Sequence, residues 1–362
     1  MIPIVKPFFP NPEELMPALE EVIYSGYVAE GEKVYEFEKL FSQYVNNPYA
    51  VSLNSGTAAL HIALLLAGVG EDDEVISTVL TAEPTNVAIK LVGAKVVWAD
   101  VTAHTGLLDP QSVRSKITSR TKAIMLVHYA GMVCDMDEFD KISNEYNIPI
   151  IEDAAHALGA KYNGSPVGSN SDYTVFSLQA IKHMTTVDGG FLTVKKEAQY
   201  NKAKLLRWFG LDKKLPRLEN DIKFPGYKYH MNNVNATIGI IQMRHIREVV
   251  NKYIGNGKYF DSSLQSIPGV KLLKYNENTE PSYWLYTMKV DNREGFIRMM
   301  NENGISASEL HLRNDRHSLF AESQTDLPVF DKFYEKMVHI PCGWWVSQED
   351  RERIVDVIKR GW

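Results

Sequence analysis

The feature that most constrains the fold is an alternation of short apolar runs with helical segments, which begins near residue 50. The apolar runs lie at residues 49–53, 74–77, 95–99, 123–127, 149–151, 174–177 and 190–194. Helical segments at 58–68, 85–91 and 136–146 separate several of them. Because near-continuous apolar strands that alternate with helices are buried on both faces, the pattern predicts an α/β fold. Its central sheet is mostly parallel, with helices on both faces.

The pattern changes near residue 231, where a smaller α+β domain is predicted to begin. One long helix is predicted over 232–250, strands at 270–273 and 283–290, and a helix at 293–303. The last helix, 348–359, follows Ser347 with Asp350 three residues on, as in a capping box. A chain of 362 residues also exceeds what one core usually supports. We therefore predict a large domain at 1–235, a small domain at 236–362, and packing of about the first 12 residues on the small domain.

Charge and composition exclude several classes of protein. The 39 Lys and Arg residues against 45 Asp and Glu give a net charge of −6, so no general basic footprint for nucleic acid exists. No apolar run reaches the roughly 18 residues of a membrane-spanning helix, and residues 1–10 do not resemble a signal peptide. Two cysteines, Cys134 and Cys342, make no disulfide framework. We expect a cytoplasmic protein without a metal site, and a mobile loop at 212–229.

Two stretches at strand ends are candidates for ligand binding. Asn54-Ser55-Gly56-Thr57 connects a strand to a helix, so its backbone N–H groups could hold a phosphate; an ordinary helix cap is the alternative. Asp153 ends a buried strand at the edge of the sheet where α/β proteins bind ligands. A carboxylate there could keep a pyridine nitrogen protonated, as a pyridoxal cofactor requires, although it could also cap the next helix.

Two further stretches surround a single lysine and a turn. Lys182 lies five residues after Ser177 and before the pair Gly189-Gly190. A lone lysine is usually a solvated surface charge, but one in a dry pocket has a lowered pKa and attacks aldehydes. The stretch 226–233 interleaves aromatic and polar residues before the long helix, which could also reflect simple packing. Individually, none of the four stretches decides the function.

Together, and in this order, the stretches resemble the DegT/DnrJ/EryC1/StrS family of sugar aminotransferases, which belong to the fold-type I pyridoxal phosphate (PLP) enzymes. The resemblance extends from Ser25-Gly26-Tyr27-Val28-Ala29-Glu30-Gly31 and Phe37-Glu38 to His339-Ile340-Pro341 and Gly343-Trp344-Trp345. It therefore covers nearly the whole chain. It implies an aspartate aminotransferase-like α/β fold and a homodimer with shared active sites.

The resemblance also implies roles for individual residues. Lys182 matches the lysine that forms a Schiff base with PLP and moves the proton between cofactor and substrate, with pyridoxamine phosphate as an intermediate. Asp153 matches the partner of the pyridinium nitrogen, and His156 the contact to the 3-hydroxyl group. The positions that match the phosphate contacts are Ser55, Gly56, Thr57 and Ser177. Lys228 resembles the residue that touches the neighbouring subunit's phosphate.

The resemblance implies a reaction in amino-sugar biosynthesis. In it, an amino group moves from L-glutamate to a nucleotide-linked 3- or 4-keto-6-deoxyhexose. Local positive charge and aromatic side chains should then bind the substrate. Our candidates are Trp208, Arg313, His317, His183 and Tyr229. Arg313 could grip a phosphate through two nitrogens, and Trp208 could stack on a sugar or base. A solvated loop charge is the alternative for each charged candidate.

The chain departs from the family pattern at several positions, and other functions stay open. Lys228 and His230 stand where other branches of the family commonly have Asn and Arg. Many relatives place an aromatic residue over the cofactor ring where Ala82 stands. Relatives with histidine at the Schiff-base position act as dehydratases, and Lys182 favours amino transfer instead. An aminocyclitol aminotransferase, a sugar dehydratase and a non-catalytic PLP-binding regulatory protein are the alternatives.

Overall fold

A central sheet of seven strands organises the structure, a computed structural model that describes residues 1–362. Its strands are β1 (Ala50–Leu53), β2 (Glu74–Ser77), β3 (Lys95–Trp98), β4 (Thr121–Val127), β5 (Ile150–Asp153), β8 (Tyr173–Ser177) and β9 (Gly190–Val194). They lie in the order β1-β9-β8-β5-β4-β2-β3. All pairs from β3 to β8 are parallel, and β9 runs antiparallel to both neighbours. The predicted mostly parallel α/β fold is confirmed.

Helices cover this sheet. They are α1 (Pro12–Tyr24), α2 (Glu32–Val45), α3 (Gly56–Leu66), α4 (Glu83–Leu91), α5 (Pro110–Lys116), α6 (Met136–Tyr146), α7 (Glu197–Leu206) and α8 (Asn233–Leu264). Seven of the eleven residues of α3 are buried, because the helix packs against β8, β9 and α4. None of the helices combines the length and hydrophobicity needed to cross a bilayer.

A second, antiparallel sheet has its own hydrophobic core. It consists of β10 (Val270–Leu272), β12 (Tyr286–Val290) and β13 (Met337–Ile340). Helices α9 (Arg293–Glu302), α10 (Pro328–Lys336) and α11 (Gln348–Lys359) follow β12 and β13 in the chain. A small three-stranded sheet joins β11 (Thr279–Glu280) to the hairpin of β6 (Lys161–Tyr162) and β7 (Ser165–Pro166).

The start of the chain packs on the second core. Ile2 forms a bridge with Ile305, and the Trp345 indole donates to the Pro3 carbonyl at 3.0 Å. The domain boundary proposed between 235 and 236 falls in the first turn of α8, a helix whose residues belong to both cores. That boundary stays a prediction.

The apolar pattern underestimates the length of one helix and does not predict several other elements. The helix predicted over 232–250 continues to Leu264, because Tyr253, Phe260 and Leu264 are buried although polar residues interrupt their spacing. The pattern does not predict α1, α2, α5, α7, α10 or β13. The loop at 212–229 contains a short 3-10 turn at Arg217–Glu219, which the Asn220 side chain closes against the Asp212 backbone.

We predict that Gly239→Ala destabilises the protein by about 1–3 kcal/mol, as overpacking of a core does. A Cβ atom at Gly239 would collide with the ring of Phe37, where α2 packs on α8. Gly255 lies on the same helix, and a Cβ atom added there would meet nothing within 4 Å. Gly255→Ala should therefore stabilise by about 0.5–1 kcal/mol through helix propensity alone. Urea denaturation midpoints measure both, and equal effects would contradict the packing explanation.

Candidate active site

Asp153 is a buried carboxylate at the carboxyl end of β5. Its Oδ2 accepts a hydrogen bond from the Thr85 hydroxyl at 2.7 Å, and its Oδ1 accepts one from the Ala155 N–H at 3.0 Å. Thr85 lies on α4, and its oxygen is 2.7 Å from that of Thr81, which must then be the donor to Thr85. Burial raises the pKa of Asp153 above its usual value, and these hydrogen bonds and the Lys182 charge offset that rise only in part. A further cationic partner would therefore stabilise the charged form of this carboxylate.

Lys182 lies in the loop that connects β8 to β9, close enough to Asp153 for their charges to interact. Burial lowers the pKa of its amine to about 7, against the Asp153 charge, which raises it. The amine lies 4.0 Å from the centre of the Trp284 ring. Near neutral pH this amine therefore exists in both its protonated and its nucleophilic form.

The N-terminus of α3 approaches the end of β8 and the start of β9. Ser55 caps this helix by accepting the Ala58 N–H at 3.0 Å. A Cβ atom at Gly56 would lie 3.1 Å from Cβ of Ser177, and one at Gly190 would lie 2.6 Å from the Gly56 nitrogen. Because larger residues would clash, the two glycines permit this close approach. The first N–H groups of a helix have no partner within it, so those of Gly56 and Thr57 are available to an anion beside Ser177.

His156 is held by an aromatic side chain from the second half of the chain. Its ring stacks on that of Trp284, with centroids 3.9 Å apart and an interplanar angle of 21°. Its Nδ1 accepts the Ala130 N–H at 3.3 Å. Burial lowers the pKa of His156 well below its usual value, with the Lys182 charge acting in the same direction. His156 is therefore neutral, and the accepted bond places its own proton on Nε2.

The segment before α8 lies beside the α3 cap. The Asn54 N–H donates to the Tyr229 carbonyl at 2.7 Å, and its side chain donates to the Lys228 carbonyl at 3.3 Å. The Tyr229 hydroxyl contacts His61 Nδ1 at 3.1 Å, and Lys228 is exposed. Trp208, in contrast, lines a separate cavity of about 880 Å³ between α2 and α7, under the Lys213 amine. Neither Lys182 nor Asp153 lines that cavity.

The three remaining candidates for substrate contact have different environments. Arg313 is held by protein carboxylates: two of its nitrogens donate to Asp315 at 2.7 and 2.6 Å, and the third to Asp331 at 2.6 Å. His183 is buried, donates Nε2–H to the Ser282 carbonyl at 3.1 Å, and has its pKa lowered to about 4 by burial. His317 has no hydrogen bond at its Nε2. The structure therefore leaves His317, but not the Arg313 guanidinium, open to a ligand.

Sequence reasoning missed Thr85 and Trp284, which touch Asp153, His156 and Lys182 directly. Thr85 lies three residues after Ala82, but a threonine in the first turn of a helix has many other uses. Trp284 precedes β12, far along the chain from Lys182. Its Nε1–H donates to the Ile181 carbonyl at 2.9 Å. Only the tertiary structure reveals that contact.

Fold and site together define an enzyme of the aminotransferase class. The chain belongs to the DegT/DnrJ/EryC1/StrS aminotransferase family, whose sequence profile matches residues 11–359. A curated relative is the UDP-4-amino-4-deoxy-L-arabinose–oxoglutarate aminotransferase of Shewanella sediminis. It is 32% identical over 370 residues, which cover 96% of this chain and 95% of that protein.

Solved structures of other proteins share the whole fold. AtS13 from Actinomadura melliaura is 38% identical with a TM-score of 0.97, covering 100% of this chain and 99% of that one. The sugar aminotransferase CalS13 from Micromonospora echinospora is 34% identical with a TM-score of 0.96, covering 100% of both chains. Spr1654 from Streptococcus pneumoniae, solved in a PLP form, is 29% identical with a TM-score of 0.91, covering 99% and 98%. It is also known in a pyridoxamine phosphate (PMP) form.

We predict that Lys182 reacts with amine reagents at unusually low pH. Its neutral form is lost only as the pH falls through about 7, whereas the ordinary lysine pKa is 10.5. Trinitrobenzenesulfonate labelling of the cofactor-free protein, followed by peptide mass spectrometry, should show half-maximal reactivity of Lys182 near pH 7. The same peptide in the urea-unfolded chain is the control. Coincident pH profiles would contradict the effect of burial.

Proposed function

We propose that this protein is a PLP-dependent aminotransferase that moves an amino group from L-glutamate to a nucleotide-linked 3- or 4-keto-6-deoxyhexose in amino-sugar biosynthesis. The observation that carries the proposal is Lys182, an amine with a pKa of about 7 that interacts with the buried carboxylate of Asp153. An amine of this kind attacks an aldehyde carbon at neutral pH.

The residues present fit the cofactor. The α3 N-terminus with Ser55, Gly56 and Thr57 offers free N–H and hydroxyl groups to a phosphate, and the two glycines let Ser177 lie close beside it. Asp153 offers its carboxylate to a pyridinium nitrogen. His156, neutral and protonated on Nε2, offers a hydrogen bond to a ring hydroxyl. When bound, PLP supplies the electron sink that amino transfer requires.

The chain's own part in the reaction is to hold and move protons. Because the pKa of Lys182 is lowered to about 7, its Nζ can take a proton from a substrate carbon and return it in the next step. Trp284 limits the movement of this amine, since its indole anchors the Ile181 carbonyl and its ring lies under Nζ. Thr85 holds the Asp153 carboxylate in place.

The substrates are proposed from the relatives. The name of the Shewanella sediminis enzyme pairs a UDP-linked amino sugar with oxoglutarate, the keto acid that glutamate leaves after donating its amine. CalS13 is described as a sugar aminotransferase. We place the reaction in the cytoplasm because both cysteines are buried and free, as a reducing compartment maintains them.

We also propose a homodimer with shared active sites. Lys228 is exposed although its backbone lies beside the α3 cap, so its side chain is free to reach a neighbouring subunit. An apolar surface surrounds the end of α1, where Tyr24 is 84% exposed, Tyr27 is 80% exposed and Ile23 is 48% exposed. Surfaces of this kind mark protein contacts.

Lys182→Ala should lower kcat by on the order of 10²–10⁴-fold, the usual contribution of a general acid–base group. The wild type should be yellow, and glutamate should shift its absorbance toward the near ultraviolet. Borohydride reduction should fix the cofactor on Lys182, as peptide mapping can show. Lys202→Ala, an exposed lysine on α7, is the control. A label on another residue would contradict the assignment.

Mixing two inactive variants tests the shared sites. In a hybrid of Lys182→Ala and Lys228→Glu subunits, one site has an intact Lys182 from one subunit and an intact Lys228 from the other. Random mixing should restore about a quarter of the wild-type activity, because half of the dimers are hybrids with one working site each. No recovery after verified subunit exchange would show that Lys228 serves its own subunit, and full activity of Lys228→Glu alone would show that it serves no site.

A further inference from the structure

Two histidines in the loop between α9 and α10 have an unused hydrogen-bonding atom. The Nε2 atoms of His311 and His317 are both buried and have no hydrogen-bond partner. A buried polar atom without a partner costs stability, so such atoms usually serve a bound group or function. Neither histidine has a role in the cofactor contacts proposed above.

His311 belongs to the same cluster of rings as Lys182. Its ring is nearly parallel to that of His156, at 5.8 Å and 6°, and to that of Trp284, at 6.4 Å and 18°. Tyr129 lies against it with centroids 6.1 Å apart. Because Trp284 also contacts the Lys182 amine, His311 lies at the reacting end of the site.

His317 faces a carboxylate across a gap. Its Nε2 is 3.8 Å from Oε1 of Glu83, which is too far for a hydrogen bond. Glu83 is the first residue of α4, whose third residue is the Thr85 that holds Asp153. The Glu83 charge also acts on His311, where it partly opposes the effect of burial on the pKa. Glu83, from the first half of the chain, therefore lies next to His317 and close enough to His311 for its charge to act there.

The loop that carries the histidines is anchored firmly. The Asn314 side chain donates to the Thr81 carbonyl at 2.8 Å and accepts from the Asn86 amide at 2.9 Å, and its backbone N–H donates to the Val79 carbonyl at 3.0 Å. Arg313 bonds Asp315 in the same loop. The histidines are thus pre-positioned, which reduces the entropy that a ligand must offset on binding.

The chemistry of these groups suits hydroxyl groups. Burial lowers the pKa of His311 to about 4, with the Lys182 charge acting in the same direction, so its imidazole is neutral and can donate or accept one hydrogen bond at Nε2. The Glu83 carboxylate accepts hydrogen bonds but repels anions. A hydroxyl group both donates and accepts, whereas a phosphate or a carboxylate would face the Glu83 charge.

We propose that His311, His317 and Glu83 bind the ring hydroxyl groups of the sugar, while its diphosphate lies elsewhere. The inference rests on the proposed function and adds which side chains contact the hydroxyl groups of the sugar ring. It assigns His311 and His317 to specificity rather than to the binding of the cofactor.

The test measures the two half-reactions separately on the holoenzyme. His311→Phe keeps a ring against Trp284 and His156 but removes Nε2, while His311→Gln returns a polar group near that position. In single-turnover experiments with the PMP-loaded enzyme and a panel of nucleotide-linked 3- and 4-keto-6-deoxyhexoses, His311→Phe should weaken sugar binding on the order of tenfold or more. The glutamate half-reaction should change by less than about threefold, since the variant removes only a contact to the sugar. His311→Gln should recover part of the loss.

An analogue that lacks one ring hydroxyl gives the sharper comparison. The wild type should discriminate against it, and His311→Phe should discriminate less, because the two changes remove the same contact. Glu83→Gln should also weaken sugar binding, and His104→Phe, an exposed histidine, should leave both half-reactions unchanged. Equal losses in both half-reactions, or no loss in either, would overturn the assignment of His311 while the aminotransferase function stands. If the wild type reacts with glutamate but with no keto-sugar of the panel, the proposed substrate class fails, and this inference fails with it.

Discussion

The carboxylate of Asp153, buried at the end of β5, needs hydrogen-bond donors and a nearby positive charge, and the surrounding elements supply them. Removal of Asp153 from water disfavours its charged form, so the charge persists only with hydrogen-bond donors and a nearby cation. Thr85 reaches it from α4, the Ala155 N–H from the next turn, and the Lys182 charge from the loop after β8. One side chain therefore ties three elements to the same edge of the sheet.

The second half of the chain completes the site from the other side. Trp284 stands just before β12, yet it bonds the backbone next to Lys182 and stacks on His156. Asn314 bonds the backbone at Thr81 and the side chain of Asn86. Because these contacts join sequence regions more than 100 residues apart, a shift of the second sheet against the first would displace Lys182, His156 and the loop between α9 and α10 together.

The sequence is informative where local rules apply and less so where tertiary contacts decide. The strands of the large sheet and the capping box at Ser347 follow from apolar runs and short-range hydrogen bonds, and the structure contains both. Helix α8 extends beyond its apolar pattern because its second half packs in another core. The sequence makes Arg313 a candidate for phosphate binding, although in the structure it donates a hydrogen bond to Asp331. No local rule predicts that bond, because Asp331 is distant in the sequence. Trp284 and His311 were missed for the same reason.

At the N-terminus of α4, the small residue Ala82 is followed by the carboxylate of Glu83. Ala82 precedes the helix and offers no side-chain cap, while Glu83 occupies the first turn, where the helix dipole favours a negative charge. The large ring near Lys182 is that of Trp284, which contacts His156 and the lysine amine rather than residue 82. The Glu83 carboxylate faces His317, with 3.8 Å between Oε1 and the histidine Nε2. Hydrogen bonds are directional, so a carboxylate beside two imidazoles is better suited than a stacking ring to the proposed role in distinguishing one sugar from another.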